Sequence, residues 1–176
     1  MSPLSRVPDV IRAHRPDRIV SLLDPQSRFP DCAALGVERH LRVGVHDVSE
    51  IFEHFVSPNE AHVQDVLRFV EDWDRGAPML VHCYAGISRS TATAFTIACA
   101  LNPKQNEEEI AWALRRASHT AWPNSRIVAL ADAELGRGGR MIRAIAEIGD
   151  GRLWEDVGEA DVFSIPSRFG APNEAA

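Results

Sequence analysis

The residues of this sequence whose types and spacing could do chemistry stand in one short stretch, Val81-His82-Cys83-Tyr84-Ala85-Gly86-Ile87-Ser88-Arg89-Ser90. An apolar run precedes the cysteine and a string of small helix formers follows the serine, so the stretch is expected to join a strand to a helix. The backbone amides of Tyr84, Ala85, Gly86, Ile87, Ser88 and Arg89 would then curl around a centre near the Cys83 sulfur. The positive end of the helix dipole points at the same spot. Such a nest binds a tetrahedral oxyanion. It also favours a thiolate, because a cysteine at a helix N-terminus beside a guanidinium gives up its proton more readily than a free one. Arg89 offers a planar fork that grips two phosphate oxygens at once, which a lysine cannot do. Gly86 allows the turn dihedrals closed to other residues. The chemistry is that of a thiolate beside a bound tetrahedral oxyanion.

Three short apolar or β-branched runs must position this loop: 18–24 (RIVSLLD), 40–47 (HLRVGVHD) and 78–83 (PMLVHC). They read as buried strands of a mostly parallel sheet. Between the last two, the stretch 57–76 reads as a helix. Ser57 is its N-cap, Pro58 lies in its first turn and Glu60 is the capping-box partner; the helix closes at Gly76. Val63, Val66, Leu67, Val70 and Trp73 share its inner face. After Cys83 the chain turns helical. STATAFTIACAL reads as a buried helix, and a second helix is capped by Asn106 with Glu109 three residues on. SRIVALADAEL and RGGRMIRAIAEI follow at helical spacing. The fold class is α/β, a central mostly parallel sheet flanked by helices, with the cysteine loop between a strand and a helix. Arg115 and Arg116 read as a solvated helix face.

A chain of 176 residues, 45 % hydrophobic, can build one sizeable core. We expect one domain over residues 1–150 and an irregular tail over 151–176, anchored by Trp154, Phe163, Ile165 and Phe169 and frayed at its end. The formal net charge of −6 argues against nucleic-acid and anionic-membrane partners, which call for a basic surface. Cys32 and Cys99 read as small buried hydrophobes, and three unpatterned cysteines suit a reducing compartment. No signal segment or spanning run is legible, so the expected location is cytoplasmic. His46, His54, His62 and His119 have no convincing metal-ligand spacing with a carboxylate, and no metal or cofactor is expected. The oligomeric state is not legible.

The loop resembles the active-site signature of the cysteine-dependent protein tyrosine phosphatases, and AGISRS is most similar to the dual-specificity branch. His82, Cys83, Gly86, Ser88, Arg89 and Ser90 fall where the family motif puts them. The resemblance implies Cys83 as nucleophile, with Arg89 and the loop amides stabilising the equatorial oxygens. It implies Ser90 as a hydrogen-bond donor to the departing sulfur and His82 as a neighbour that tunes the thiolate through the loop's hydrogen bonds. Roughly residues 15 to 120 follow the family's order of elements.

Phosphoester cleavage also needs a proton for the leaving oxygen. Asp47 is the first candidate, since it ends a strand at the edge from which Cys83 should emerge. In the dual-specificity branch the acid likewise follows a strand, a little over thirty residues before the cysteine; here the gap is 36. Glu50, Glu53 and Glu60 are the fallbacks. The segment from His119 to Met141 is a candidate wall of the pocket, and Pro123-Asn124 resembles a pair that opens a late helix in this branch. The expected partner is a phosphorylated protein or a small phosphoester. The interior YAGIS carries no lysine, which favours protein or aryl phosphates over a multiply charged inositol head group. Two other readings remain: a module that binds phosphate without turnover, and a redox switch built on the same cysteine.

Overall fold

The computed structural model describes residues 1–151 and 158–170. Its centre is a parallel four-stranded sheet in the order β1-β4-β2-β3, with β1 at Ser2–Pro3, β2 at Arg18–Leu23, β3 at Arg39–Gly44 and β4 at Met79–Cys83. Every pairing is parallel. The C-terminal ends of β2, β3 and β4 therefore share one edge, and Asp24, Asp47 and Cys83 all arrive there. β2 is buried along its whole length, as the run RIVSLL requires of a strand covered on both faces.

Among the described residues, six α-helices cover the two faces: α1 at Val7–His14, α2 at Glu60–Val70, α3 at Arg89–Leu101, α4 at Glu107–Ala117, α5 at Ser125–Glu134 and α6 at Arg140–Glu147. α1 stands against one face over a small cluster of Val7, Ile11, Ile19, Cys32 and Leu80. The other face carries the larger core, in which Phe95 is wholly buried. Burying a side chain of that size contributes about 2–3 kcal/mol. α3 runs through the middle of this layer with every residue from Arg89 to Cys99 buried. Its small Ala, Thr, Ser and Cys side chains let β4, α2, α4 and α5 pack around it. No helix among the described residues is long and apolar enough to cross a membrane.

Several boundaries differ from the sequence reading, each for a local reason. The cap of α2 is Asn59, not Ser57: its side chain accepts from the His62 amide while the His62 ring accepts from the Asn59 amide. Ser57 instead donates to the Glu50 carbonyl. The helix stops at Val70, and Trp73 lies beyond it, donating to the Ala77 carbonyl. Asn106 caps α4 through the Glu108 amide, but Glu109 bonds the Gln105 side chain rather than closing a box. Arg115 is not simply solvated, because it reaches the carbonyls of Ser118, His119, Ile148 and Gly149 and ties α4 to the end of α6. β1 and α1 have no counterpart in the sequence reading. Two residues of strand and eight of helix are too short for periodicity to reveal.

The tail residues 158–170 form neither helix nor strand, and Phe163, Ile165 and Phe169 pack on the main core. Trp154 and the end of the tail, 171–176, lie outside the described residues. All three cysteines are free and buried. Burial pushes the Cys32 thiol up to about 11 and the Cys99 thiol up to about 12.

Candidate active site

The loop between β4 and α3 is held by its carbonyls. Tyr84 accepts from the Leu4 amide at 2.9 Å, Ala85 from Ala160 at 2.9 Å and Ile87 from Trp122 at 3.0 Å. Ser88 accepts from the amides of Ala92 and Asn124. Among the described residues, no protein group accepts from the amides of Tyr84 to Ser88, so those donors are left unpaired in the loop that follows Cys83. Ser88 occupies the N-cap of α3 without capping it. Its hydroxyl donates to Asp47 instead, at 2.7 Å, which leaves the first turn of the helix open to an anion.

Gly86 has φ +76°, and a Cβ there would lie 2.8 Å from the Pro3 nitrogen and 2.9 Å from the Ser2 carbonyl carbon. Those are backbone atoms of β1, paired with β4 and buried at Ser2. Gly86→Ala is expected to cost about 2 kcal/mol or more. That corresponds to a melting temperature lower by about 5 °C, measurable by calorimetry. A melt within 1 °C of the parent, taken here as about no change, would show that β1 yields.

Cys83 lies at the floor, almost fully buried, with the Ser90 hydroxyl 3.2 Å from its sulfur. Arg89, also buried, spends Nη1 on Asp24 Oδ1 at 2.7 Å and on the Val45 carbonyl at 2.7 Å. Its Nε has no hydrogen-bond partner among the described residues and faces Asp47 Oδ2 at 3.6 Å. Asp47 is held from its other oxygen, which accepts from Ser88 and, at 2.9 Å, from the Asn124 amide. Asn124 also donates to the Val48 carbonyl and caps α5 by accepting from the amides of Arg126 and Ile127. One buried side chain thus joins the Asp47 loop, the cysteine loop and a helix start.

These groups open on one cavity of about 560 Å³. Cys83, Tyr84, Ala85, Ile87, Ser88, Arg89 and Asp47 line it; Gly86 lies behind, against β1, and Ser90 sits beneath the sulfur. His82 is wholly buried behind the loop, where burial lowers its pKa to about 4. Glu50, Glu53 and Glu60 are not in the lining. The expected wall after His119 is present as Trp122, Pro123, Asn124 and Ser125. Sequence reasoning missed Asp24, Ser49, Gly158 and the bridging amide of Asn124. Asp24 had a signal, since it directly follows β2 at the edge that Asp47 also reaches, three residues past the end of β3. Gly158 had none.

A model of the protein-tyrosine phosphatase family matches residues 40–121, from β3 through the cysteine loop to the cavity wall. No curated protein sequence matches the chain. Among solved structures, human DUSP28 is 21 % identical with a TM-score of 0.56, over 76 % of this chain and 85 % of its own. PTPMT1, solved in complex with PI(5)P, is 15 % identical with a TM-score of 0.57, over 81 % of this chain and 90 % of its own. The human tyrosine phosphatase-like serine/threonine/tyrosine-interacting protein is 16 % identical with a TM-score of 0.55, over 77 % and 86 %. At such identities the structural likeness is one of fold. Signature segment and fold agree: residues 40–121 match the protein-tyrosine phosphatase family model, and the chain shares its fold with these solved structures.

Proposed function

We propose that this chain is a phosphomonoester hydrolase of phosphorylated proteins, phosphotyrosine foremost, working through a cysteinyl-phosphate intermediate without a cofactor. The observation that carries the reading is the opening of a single cavity onto the Cys83 sulfur, the Arg89 guanidinium and the Asp47 carboxyl group. In the first step the thiolate attacks phosphorus in line. The phosphorus–oxygen bond of the substrate breaks, and Asp47 donates a proton to the leaving oxygen. Arg89 and the loop amides hold the three equatorial oxygens throughout. In the second step Asp47 takes a proton from water, the water oxygen bonds phosphorus, and the sulfur leaves as a thiolate that accepts a hydrogen bond from Ser90. The sum is phosphomonoester plus water giving alcohol plus phosphate.

The walls favour an aryl phosphate. Tyr84, two-thirds exposed, and Trp122 flank the mouth, and among the described residues Arg89 is the one cation in the lining. A ring can stack there, whereas a head group with several phosphates finds no second cation among the described residues. The competing substrate class is a phosphoinositide, supported by the similarity in fold to PTPMT1. The test is kcat/KM on a phosphotyrosine peptide, a phosphothreonine peptide and a phosphoinositide. Highest turnover on the first is expected; highest turnover on the lipid would overturn the substrate assignment.

Asp47→Asn tests the acid. The first step requires a proton on Asp47 for the leaving oxygen. The variant is expected to lose about 10²–10³-fold in kcat/KM. A variant that keeps the parental rate would remove the role from Asp47.

A further inference from the structure

Ser21, His40 and Arg42 lie outside the cavity, on β2 and β3, and the mechanism above leaves them without a task. Ser21 is in register with His82 on one side and with Arg42 on the other. Its hydroxyl oxygen is 2.7 Å from Nε2 of His40 and 2.5 Å from Nε2 of His82. At the outer end, Nε of Arg42 donates to Nδ1 of His40 at 3.4 Å. At the inner end, Nδ1 of His82 is 3.3 Å from the carbonyl oxygen of Cys83 itself. Five groups thus form one line across the α1-covered face of the sheet, from its β3 edge to the nucleophile.

The polarity of that line follows from its ends. A guanidinium only donates, so Nδ1 of His40 is an acceptor. A carbonyl only accepts, so Nδ1 of His82 carries the hydrogen. A neutral imidazole has a single N–H. His40 therefore bears its hydrogen on Nε2, and His82 leaves Nε2 bare. The one hydroxyl between them accepts from His40 and donates to His82. Turning any single link around would set two donors, or two acceptors, face to face.

We infer that Ser21, His40 and Arg42 are positioning residues for the nucleophile, a directed hydrogen-bond chain that fixes the tautomer of His82 and thereby the peptide that carries Cys83. The inference rests on the reading of Cys83 as nucleophile. Burial supports a neutral chain, since Ser21 and His82 are wholly inaccessible and both imidazoles are lowered to about 4. The charges facing His82 are His40 and the Met1 ammonium; those facing His40 are Arg42 and Asp31, beside the Cys32 thiol at 3.9 Å. Protonation of His40 would put a second N–H against the Arg42 guanidinium. Both histidines titrate below their usual 6.5, so the unfolded chain binds more protons between pH 6.5 and 4. Stability therefore falls as pH drops through that window, and the chain opens near its lower end.

The first arm of the test needs no substitution. Nitrogen-15 imidazole spectra at pH 7 are expected to show His40 as the Nε2–H tautomer and His82 as the Nδ1–H tautomer; the opposite tautomer at either residue overturns the inference. The second arm measures Ser21→Ala, expected to lower kcat about 10-fold with KM changed less than about 2-fold. The pH midpoint of Cys83 alkylation by iodoacetate should shift with it, read cleanly because Cys32 and Cys99 are buried neutral thiols. His40→Gln keeps an N–H toward Ser21 and is expected to recover most of what His40→Leu loses. Folded Ser21→Ala with parental kcat and alkylation midpoint would overturn the proposal. Correct tautomers in a parent chain without turnover would support the hydrogen-bond chain and overturn the functional reading, so the two failures are told apart.

Discussion

Cys83→Ser is expected to reduce kcat/KM on a phosphotyrosine peptide by about 10³-fold or more while leaving phosphate binding intact. The hydroxyl is close in size to the thiol but far less ionised, and the attack in the proposed first step is lost with the thiolate. Everything that would grip the phosphate stays. The unpaired amides of Tyr84 to Ser88 and the uncapped start of α3 do not depend on the sulfur, and Arg89 is held by Asp24 and the Val45 carbonyl. Inorganic phosphate should therefore raise the melting temperature of the variant as it does that of the parent, by the usual mass-action relation. Turnover that survives in Cys83→Ser would move the nucleophile elsewhere. Absent turnover in the parent, with phosphopeptide still bound, would favour a module that binds phosphate without turnover.

Arg89→Lys carries the second large effect, an expected loss of about 10²–10³-fold in kcat/KM together with loss of phosphate-dependent stabilisation. The guanidinium divides its donors by direction. One nitrogen goes to Asp24 and to the Val45 carbonyl, which arrive from the ends of β2 and β3, and the remaining N–H groups are left for the cavity and Asp47. A lysine ammonium is a single point at the end of a flexible stem and cannot serve both sides. In a site where Arg89 is only 4 % exposed, it would also leave the Val45 carbonyl or the bound anion short of a donor. An unmade buried hydrogen bond costs about 1–3 kcal/mol, so a lower melting temperature should accompany the kinetic loss. Kinetics and phosphate protection at parental levels would show that any cation suffices, and the fork geometry would cease to matter.

The reach of the sequence can be judged residue by residue. The cysteine loop was legible because it is local: Cys83, Gly86 and Arg89 lie within seven positions, and the strand before and helix after carry their own periodicity. Asp47 was legible through one further rule, that parallel strands deliver their following residues to a common edge. Asp24 obeys the same rule at the end of β2, yet nothing in one dimension says that Arg89 turns toward it. Asn124 looked like a helix cap and is one, while its second amide bond, to Asp47 77 positions away, needs α5 packed beside the loop. The boundaries of α2 failed for a smaller reason. Ser57 and Asn59 are both able caps, and the choice fell to Asn59 because the His62 ring returns its hydrogen bond.

The sequence by itself determined the α/β class, the order of the elements around the cysteine loop and the residue types that meet there, because each is written in patterns a few residues to a few tens of residues long. Tertiary structure alone decided what supports the loop. Ser2–Pro3 closes over Gly86, and Ala160 of the tail bonds the Ala85 carbonyl. Ser21 stands between two histidines from neighbouring strands. Those contacts join residues 19 to 84 positions apart, or in the tail's case 75. Their hydrogen-bond partners are set by strand register and by which element packs behind which, a choice made by burial of the whole core rather than by any local propensity.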